Sequence, residues 1–220
     1  MNKLVFGLVF FILIAIPKVA LSSEPILRQG STGEEVKKIQ LVLKEENYYF
    51  DKIDGLFGPE TRYAVIAFQK VNEIHVDGIV GPQTRSSIQD IKRPVPLFRE
   101  ENIHIEVNLE KQLLFVVEDE EIIGISHISS GAPGRETPKG RFEIPRIEKI
   151  IRQTRNVPWR ATLFYPIQIR GAYLIHGFNE FEGGIPLYPA SRGCIRTSIS
   201  FSYWLSHHPK IEKGTVIHIY

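Results

Sequence analysis

The spacing of hydrophobic and polar positions changes period near residue 100. Val36, Ile39 and Leu43 recur at three- and four-residue intervals between Gly33 and Asn47, and Ala64, Val65 and Phe68 do the same between Pro59 and Asn72. This spacing places each set on one face of a helix. A third, shorter helix is predicted from Pro82 to about Ile91, because proline at a first helical position loses no hydrogen bond. Beyond the change, Ile103, Ile105 and Val107 alternate with His104, Glu106 and Asn108, a period of two that predicts a strand. Residues 112–117, 121–129 and 215–220 are rich in β-branched and aromatic side chains and read as further strands. The apolar run 172–175 ends at His176 and is broken by Gly177. Residues 130–140 carry Gly131, Pro133, Gly134, Pro138 and Gly140 and read as a loop. One late helix is predicted from about Ser198 to His208, where Pro209 stops it.

An internal echo organises the first part of the chain. Asp54-Gly55-Leu56-Phe57-Gly58-Pro59-Glu60-Thr61 returns as Asp77-Gly78-Ile79-Val80-Gly81-Pro82-Gln83-Thr84. Each copy reads as a tight turn, a short buried segment and a helix start. Residues 25–91 therefore form a small three-helix unit, whose core must draw on Phe57, Phe68 and the repeated aliphatics. Geometry alone leaves binding module and spacer both open. Residues 92–100 contain Pro94 and Pro96 at alternate positions and read as an extended linker. Residues 101–220 form a mainly β domain, a sandwich or partly closed barrel. The chain as a whole is expected to be an α+β multidomain protein.

Composition adds a compartment. Lys3 precedes an apolar stretch from Leu4 to Ile16, and Ala20-Leu21-Ser22 supplies small residues for cleavage, so residues 1–22 read as a signal peptide. The stretch is shorter than the roughly 20 residues a spanning helix needs, so no stable membrane span is expected after its removal. The expected location is the periplasm or cell wall. The chain has 27 basic and 25 acidic residues, and loss of Lys3 and Lys18 balances them at 25 each. Without a basic excess, nucleic acid is a poor partner.

The single cysteine, Cys194, excludes an internal disulfide. An odd thiol in an oxidising compartment either pairs with another molecule or is kept for its reactivity. Gly193 lets the chain turn sharply before it, so that backbone N–H groups can approach a substrate carbonyl. His176, at the end of its strand, is a candidate base for the thiol. Arg192 and Arg196, two positions to either side, are expected to favour the thiolate. Tyr165 and Trp159 are candidates to line a substrate groove, with core packing the alternative for each. His104 is expected to face solvent or the opposite sheet surface, His127 to be structural, and His207 and His208 to suit a helix C-terminus. There is no His-Glu-x-x-His and no second cysteine, so neither a metal nor a cofactor is expected.

Two resemblances sharpen this reading. Gly30 and Gly33 before a helix with Val36, Ile39, Gln40 and Leu43, followed by Asp54-Gly55, Phe57-Gly58-Pro59, Thr61, Phe68-Gln69 and Asn72, resemble the peptidoglycan-binding domain attached to many cell-wall enzymes. His176-Gly177 with Ser191-Arg192-Gly193-Cys194-Ile195-Arg196 resembles the active-site signature of YkuD-type L,D-transpeptidases. Upstream, Ser130-Gly131 and Thr137-Pro138-Lys139-Gly140-Arg141-Phe142 resemble that family's other hallmark.

The likeness implies that Cys194 attacks the carbonyl of the third residue of a peptidoglycan tetrapeptide stem, forming a thioester and releasing D-alanine. It implies that His176 is the general acid and base, that the Gly177 carbonyl orients the imidazole, and that backbone N–H groups around Arg192, Gly193 and Cys194 form an oxyanion hole. Ser191 is then a local support, and Arg196 braces the loop or meets a substrate carboxylate. Peptidoglycan is the implied partner. Capture of the thioester by an amine gives cross-linking and by water an L,D-carboxypeptidase. A catalytically silent peptidoglycan-binding scaffold, with Cys194 as a packing residue, is the alternative from another class.

Overall fold

A computed structural model describes residues 24–154, 162–179 and 184–220. The expected signal peptide and Trp159 lie outside the described residues. Helices α1 (Glu34–Glu45), α2 (Pro59–Asn72) and α3 (Pro82–Gln89) stand where the periodicity predicts them. Gly58 and Gly81 precede the prolines that open α2 and α3.

The repeated turns share a polar lock. Gln40 Nε2 donates to Asp54 Oδ1 at 2.9 Å, Leu56 O at 3.0 Å and Thr61 Oγ1 at 3.1 Å, while its Oε1 accepts from Gly55 N at 2.9 Å. Gln69 repeats the pattern with Asp77 Oδ1, Ile79 O, Thr84 Oγ1 and Gly78 N at 2.8, 3.0, 3.1 and 2.8 Å. Both glutamines are fully enclosed, and loss of either leaves several buried groups unpaired, at roughly 1–3 kcal/mol each. The echo is thus a helix glutamine stapling the turn that follows it.

The remaining chain forms two sheets. The first has the order β3-β2-β1-β9-β4, from Glu121–His127, Leu113–Glu118, His104–Asn108, Val216–Ile219 and Gly140–Glu143. The second has the order β5-β6-β7-β8, from Ile151–Gln153, Thr162–Arg170, Tyr173–Gly177 and Ile195–Thr197. Pairing is antiparallel except for β1 with β9 and β7 with β8. Ile105, Val107, Leu114, Val116, Ile217 and Ile219 of the first sheet share a core with Ile167, Ile169, Ile175 and Ile195 of the second. This is a sandwich, and the sheets do not close into a barrel. Helix α4 (Ile199–His207) packs against β6 and β7.

Two strands depart from simple alternation, because both of their faces are covered. In β2, Leu114 and Val116 enter the sandwich while Leu113 and Phe115 join Leu43, Phe68 and Val71 of the helical unit in a second core. In β1, His104 and Glu106 are as buried as their aliphatic neighbours. The linker covers them: the Glu106 carboxylate accepts from Leu97 N at 3.0 Å, Phe98 N at 2.8 Å and His104 Nε2 at 3.2 Å. His104 therefore lies under the linker and not in solvent.

Candidate active site

Strands β7 and β8 build the site. Their register pairs Ile175 with Ile195 and His176 with Arg196. Both isoleucines enter the sandwich core, so alternation turns His176 and Arg196 to the other face. Cys194 immediately precedes β8, and its Sγ lies 3.7 Å from the Ala172 carbonyl oxygen just before β7, the strand that carries His176. His176 Nδ1 lies 2.9 Å from the Gly177 carbonyl oxygen. A carbonyl only accepts, so Nδ1 carries the proton and Nε2 is the basic nitrogen.

The loop before Cys194 is held from within and from the upstream hallmark. Ser191 Oγ accepts from Gly193 N at 3.0 Å and donates to Cys194 O. Thr137 Oγ1 accepts from Gly131 N and donates to Gly193 O, both at 2.9 Å. Ser130 O receives Ala190 N and Ser191 N, each at 2.9 Å. Gly131 approaches so closely that a Cβ there would stand 2.1 Å from Arg135 O. The two hallmarks of the sequence are therefore two sides of one loop assembly. Gly193 has φ 103°, and a Cβ on it would lie 2.5 Å from Tyr173 Cε1. Its N–H donates to Ser191 Oγ, and Gly193 contributes backbone shape and close packing.

Burial dominates the electrostatics. It pushes the Cys194 thiol above its ordinary 9.0, against the opposing pull of the Leu174 backbone, Arg196 and Arg152. Burial also pushes His176 down to about 4, despite its bond to Gly177. Thiol and imidazole are both neutral near pH 7. Arg196 draws the thiol pKa down as expected, but burial outweighs it, and Arg152 adds a second downward pull that the sequence did not signal. Arg152 sits on β5, opposite Leu163, and pairs with Glu148 at 3.1 Å. No sequence spacing signals it, because its charge acts on Cys194 and His176 from β5, on the far side of β6.

The other candidates separate. The Arg196 guanidinium lies 4.1 Å from the centroid of the Phe178 ring, which fits the bracing role. Tyr165 lies at the bulge of β6 with φ 51°, and its ring packs on Tyr203 and His207 of α4. His127 is buried beside Lys70. Among the described residues, no group of three or more His, Cys, Asp or Glu side chains could hold a metal ion.

A profile described as the L,D-transpeptidase catalytic domain (YkuD) matches residues 102–219, more than half of the chain. The chain belongs to the YkuD family of L,D-transpeptidases. A peptidoglycan binding domain profile matches residues 32–88 of this L,D-transpeptidase. The crystal structure of the L,D-transpeptidase from Xylanimonas cellulosilytica DSM 15894 is similar, with TM-score 0.77 and 33% identity, covering 90% of this chain and 98% of that one. An L,D-transpeptidase (Yku) from Stackebrandtia nassauensis shares the fold at TM-score 0.50 and 22% identity, over 88% of this chain and 94% of that one. A stretch of 47 residues is 40% identical to the spore cortex-lytic enzyme of Bacillus subtilis strain 168. That match spans 21% of this chain and only 15% of the Bacillus protein.

Proposed function

We propose that this protein is exported and performs cysteine-dependent acyl transfer on the tetrapeptide stems of peptidoglycan. The observation that supports the reading is the Gly177 carbonyl fixing His176 with Nε2 as its basic nitrogen, on the strand whose start the chain's one thiol approaches. Cys194 Sγ attacks the carbonyl carbon of the third stem residue, and its proton passes to His176 Nε2. The Cys194 amide, turned by Gly193, donates to the developing oxyanion. As the C–N bond breaks, His176 gives the proton to the departing D-alanine amine and a thioester remains. An amine from a neighbouring stem then attacks the thioester, yields its proton to His176 and releases the thiolate, which recovers that proton. Starting from a neutral pair, the enzyme creates charge only during reaction, where oriented dipoles stabilise it most.

The outcome of the second step depends on acceptor geometry and water exclusion. The test is incubation with a purified tetrapeptide muropeptide and an amine acceptor, followed by mass spectrometry of protein and products. A thioester on Cys194 that is absent from Cys194→Ala, together with cross-linked product, supports transfer. Exclusive tripeptide monomer would replace transfer with L,D-carboxypeptidase action. Failure of Cys194 to react with either muropeptide or a thiol reagent would favour the silent scaffold.

A further inference from the structure

A domain that only delivers an enzyme to its polymer needs a tether and no contact with the catalytic loop. Here the contact is extensive and polar. Ile185, in the segment between His176 and Cys194, donates its N–H to Tyr63 Oη of α2 at 2.9 Å. The Ile185 carbonyl lies 3.4 Å from His127 Nε2, and His127 Nδ1 lies 3.0 Å from Lys70 Nζ, also on α2. An ammonium only donates, so Nδ1 accepts and Nε2 carries the proton that meets Ile185. Both backbone groups of one loop residue are therefore held, directly or through one histidine, by the helical unit.

Lys70 opens a second branch. Its Nζ donates to Gln112 O at 3.2 Å. The Gln112 side chain clasps Ser130, accepting from its N–H and donating to its Oγ, both at 2.8 Å. The Ser130 carbonyl in turn receives the amides of Ala190 and Ser191, at the entrance to the nucleophile loop. Apolar packing follows the same route: Tyr63 and Ile66 form one cluster with Phe178 and Ile185, and Phe178 carries the Arg196 guanidinium. Glu60, at the start of α2, accepts from Ile199 N at 3.1 Å and Ser200 N at 3.3 Å and so caps α4.

We infer that helix α2 of the peptidoglycan-binding domain is a positioning element of the catalytic site, with Tyr63 and Lys70 clamping the segment that leads into Cys194. The inference rests on the acyl-transfer reading for its kinetic consequence and on geometry alone for the clamp. Neither residue touches substrate. Each sets the loop against which substrate must align, where displacement by about 1 Å can cost as much as a hundredfold in rate.

The test uses the full chain with Tyr63→Phe and Lys70→Met, and Lys38→Met on the exposed side of α1 as control. Two measurements are made: turnover of a soluble disaccharide-tetrapeptide, for which wall targeting confers no advantage, and hydrogen exchange of the Ile185 amide. In Tyr63→Phe, that amide should exchange at least about tenfold faster, since the ring stays in its cluster and only the acceptor is lost. Both α2 variants should lose roughly tenfold or more in kcat with KM little changed. The control should match the wild type, and alkylation of Cys194 by a small thiol reagent should keep its wild-type pH profile in all three. Wild-type kcat on the soluble substrate in both α2 variants, or unchanged Ile185 exchange in Tyr63→Phe, would overturn the inference. Should the wild type itself yield no product, the acyl-transfer reading fails and the exchange measurement decides the clamp.

Discussion

His176 Nδ1 is held at 2.9 Å by the carbonyl oxygen of Gly177, the next residue in the chain, and not by a carboxylate. A carbonyl dipole orients an imidazole but stabilises an imidazolium far less than an anion does. Burial therefore prevails and His176 titrates at about 4. The basic form is present above that value and is lost as pH falls through it. The expected kcat/KM profile has an acid limb near pH 4 and no limb near 6.5. Alkylation of Cys194 should accelerate with pH through and beyond the ordinary thiol value, since its pKa is raised. A pre-formed thiolate–imidazolium pair would instead give alkylation that is fast and flat from pH 5 to 8, and that result would refute the neutral pair. His176→Ala should lower turnover by roughly 10²–10⁴-fold while leaving alkylation at high pH nearly intact.

Gly193 carries two constraints that separate under mutation. Its φ of 103° strains any other residue, and an added methyl would strike the Tyr173 ring. Gly193→Ala should cost roughly 1–3 kcal/mol of stability and most of the activity. Shortening the ring in Tyr173→Leu on that background relieves the contact but not the backbone strain. Thermal unfolding and turnover of the pair should recover in part, and full recovery would show that φ is unimportant.

Some of this architecture was legible in the chain and some was not, for physical reasons. The helices were readable because apolar spacing and Gly-Pro starts are local signals, and all four lie within about two residues of expectation. The strand that ends at Gly177 and the turn at Gly193 were readable because an apolar run broken by glycine and a glycine turn are local signals. The alternation of β1 pointed to a half-exposed strand, since nothing in residues 103–108 announces that Leu97 and Phe98 fold back over Glu106. The charge of Arg152 and the ring of Tyr173 act on the loop only through sheet pairing, and Tyr63 and Lys70 through domain packing. The contact of the Tyr165 ring with α4 was not readable, because it follows from the β6 bulge.

Arg152 and Arg196 both draw the thiol pKa down against burial. Arg152→Gln removes one of these charges while keeping a polar side chain. The thiol pKa should rise further, so alkylation at pH 8 should slow and its pH midpoint move to the alkaline side. The shift should shrink in high salt, because Arg152 is partly exposed and its charge is screened. An unmoved midpoint would show that Arg152 does not reach the thiol.

Burial of Lys70 and His127 makes stability rise toward alkaline pH. Burial lowers Lys70 from 10.5 to about 8 and His127 from 6.5 to about 3. Each folded-state pKa lies below its unfolded value, so the unfolded chain binds more protons in two windows, about 3 to 6.5 and about 8 to 10.5. Stability increases with pH wherever the unfolded state holds more protons. The shift of Lys70 corresponds to about 3 kcal/mol at most, and less after relaxation of the site. Lys70→Met removes the upper window. The difference in unfolding free energy between wild type and this variant should therefore move in favour of the wild type as pH rises from 8 to 10, when each is measured by denaturant titration. A difference constant across that range would show that Lys70 keeps its proton equally in both states, and that its amine is not desolvated between the domains.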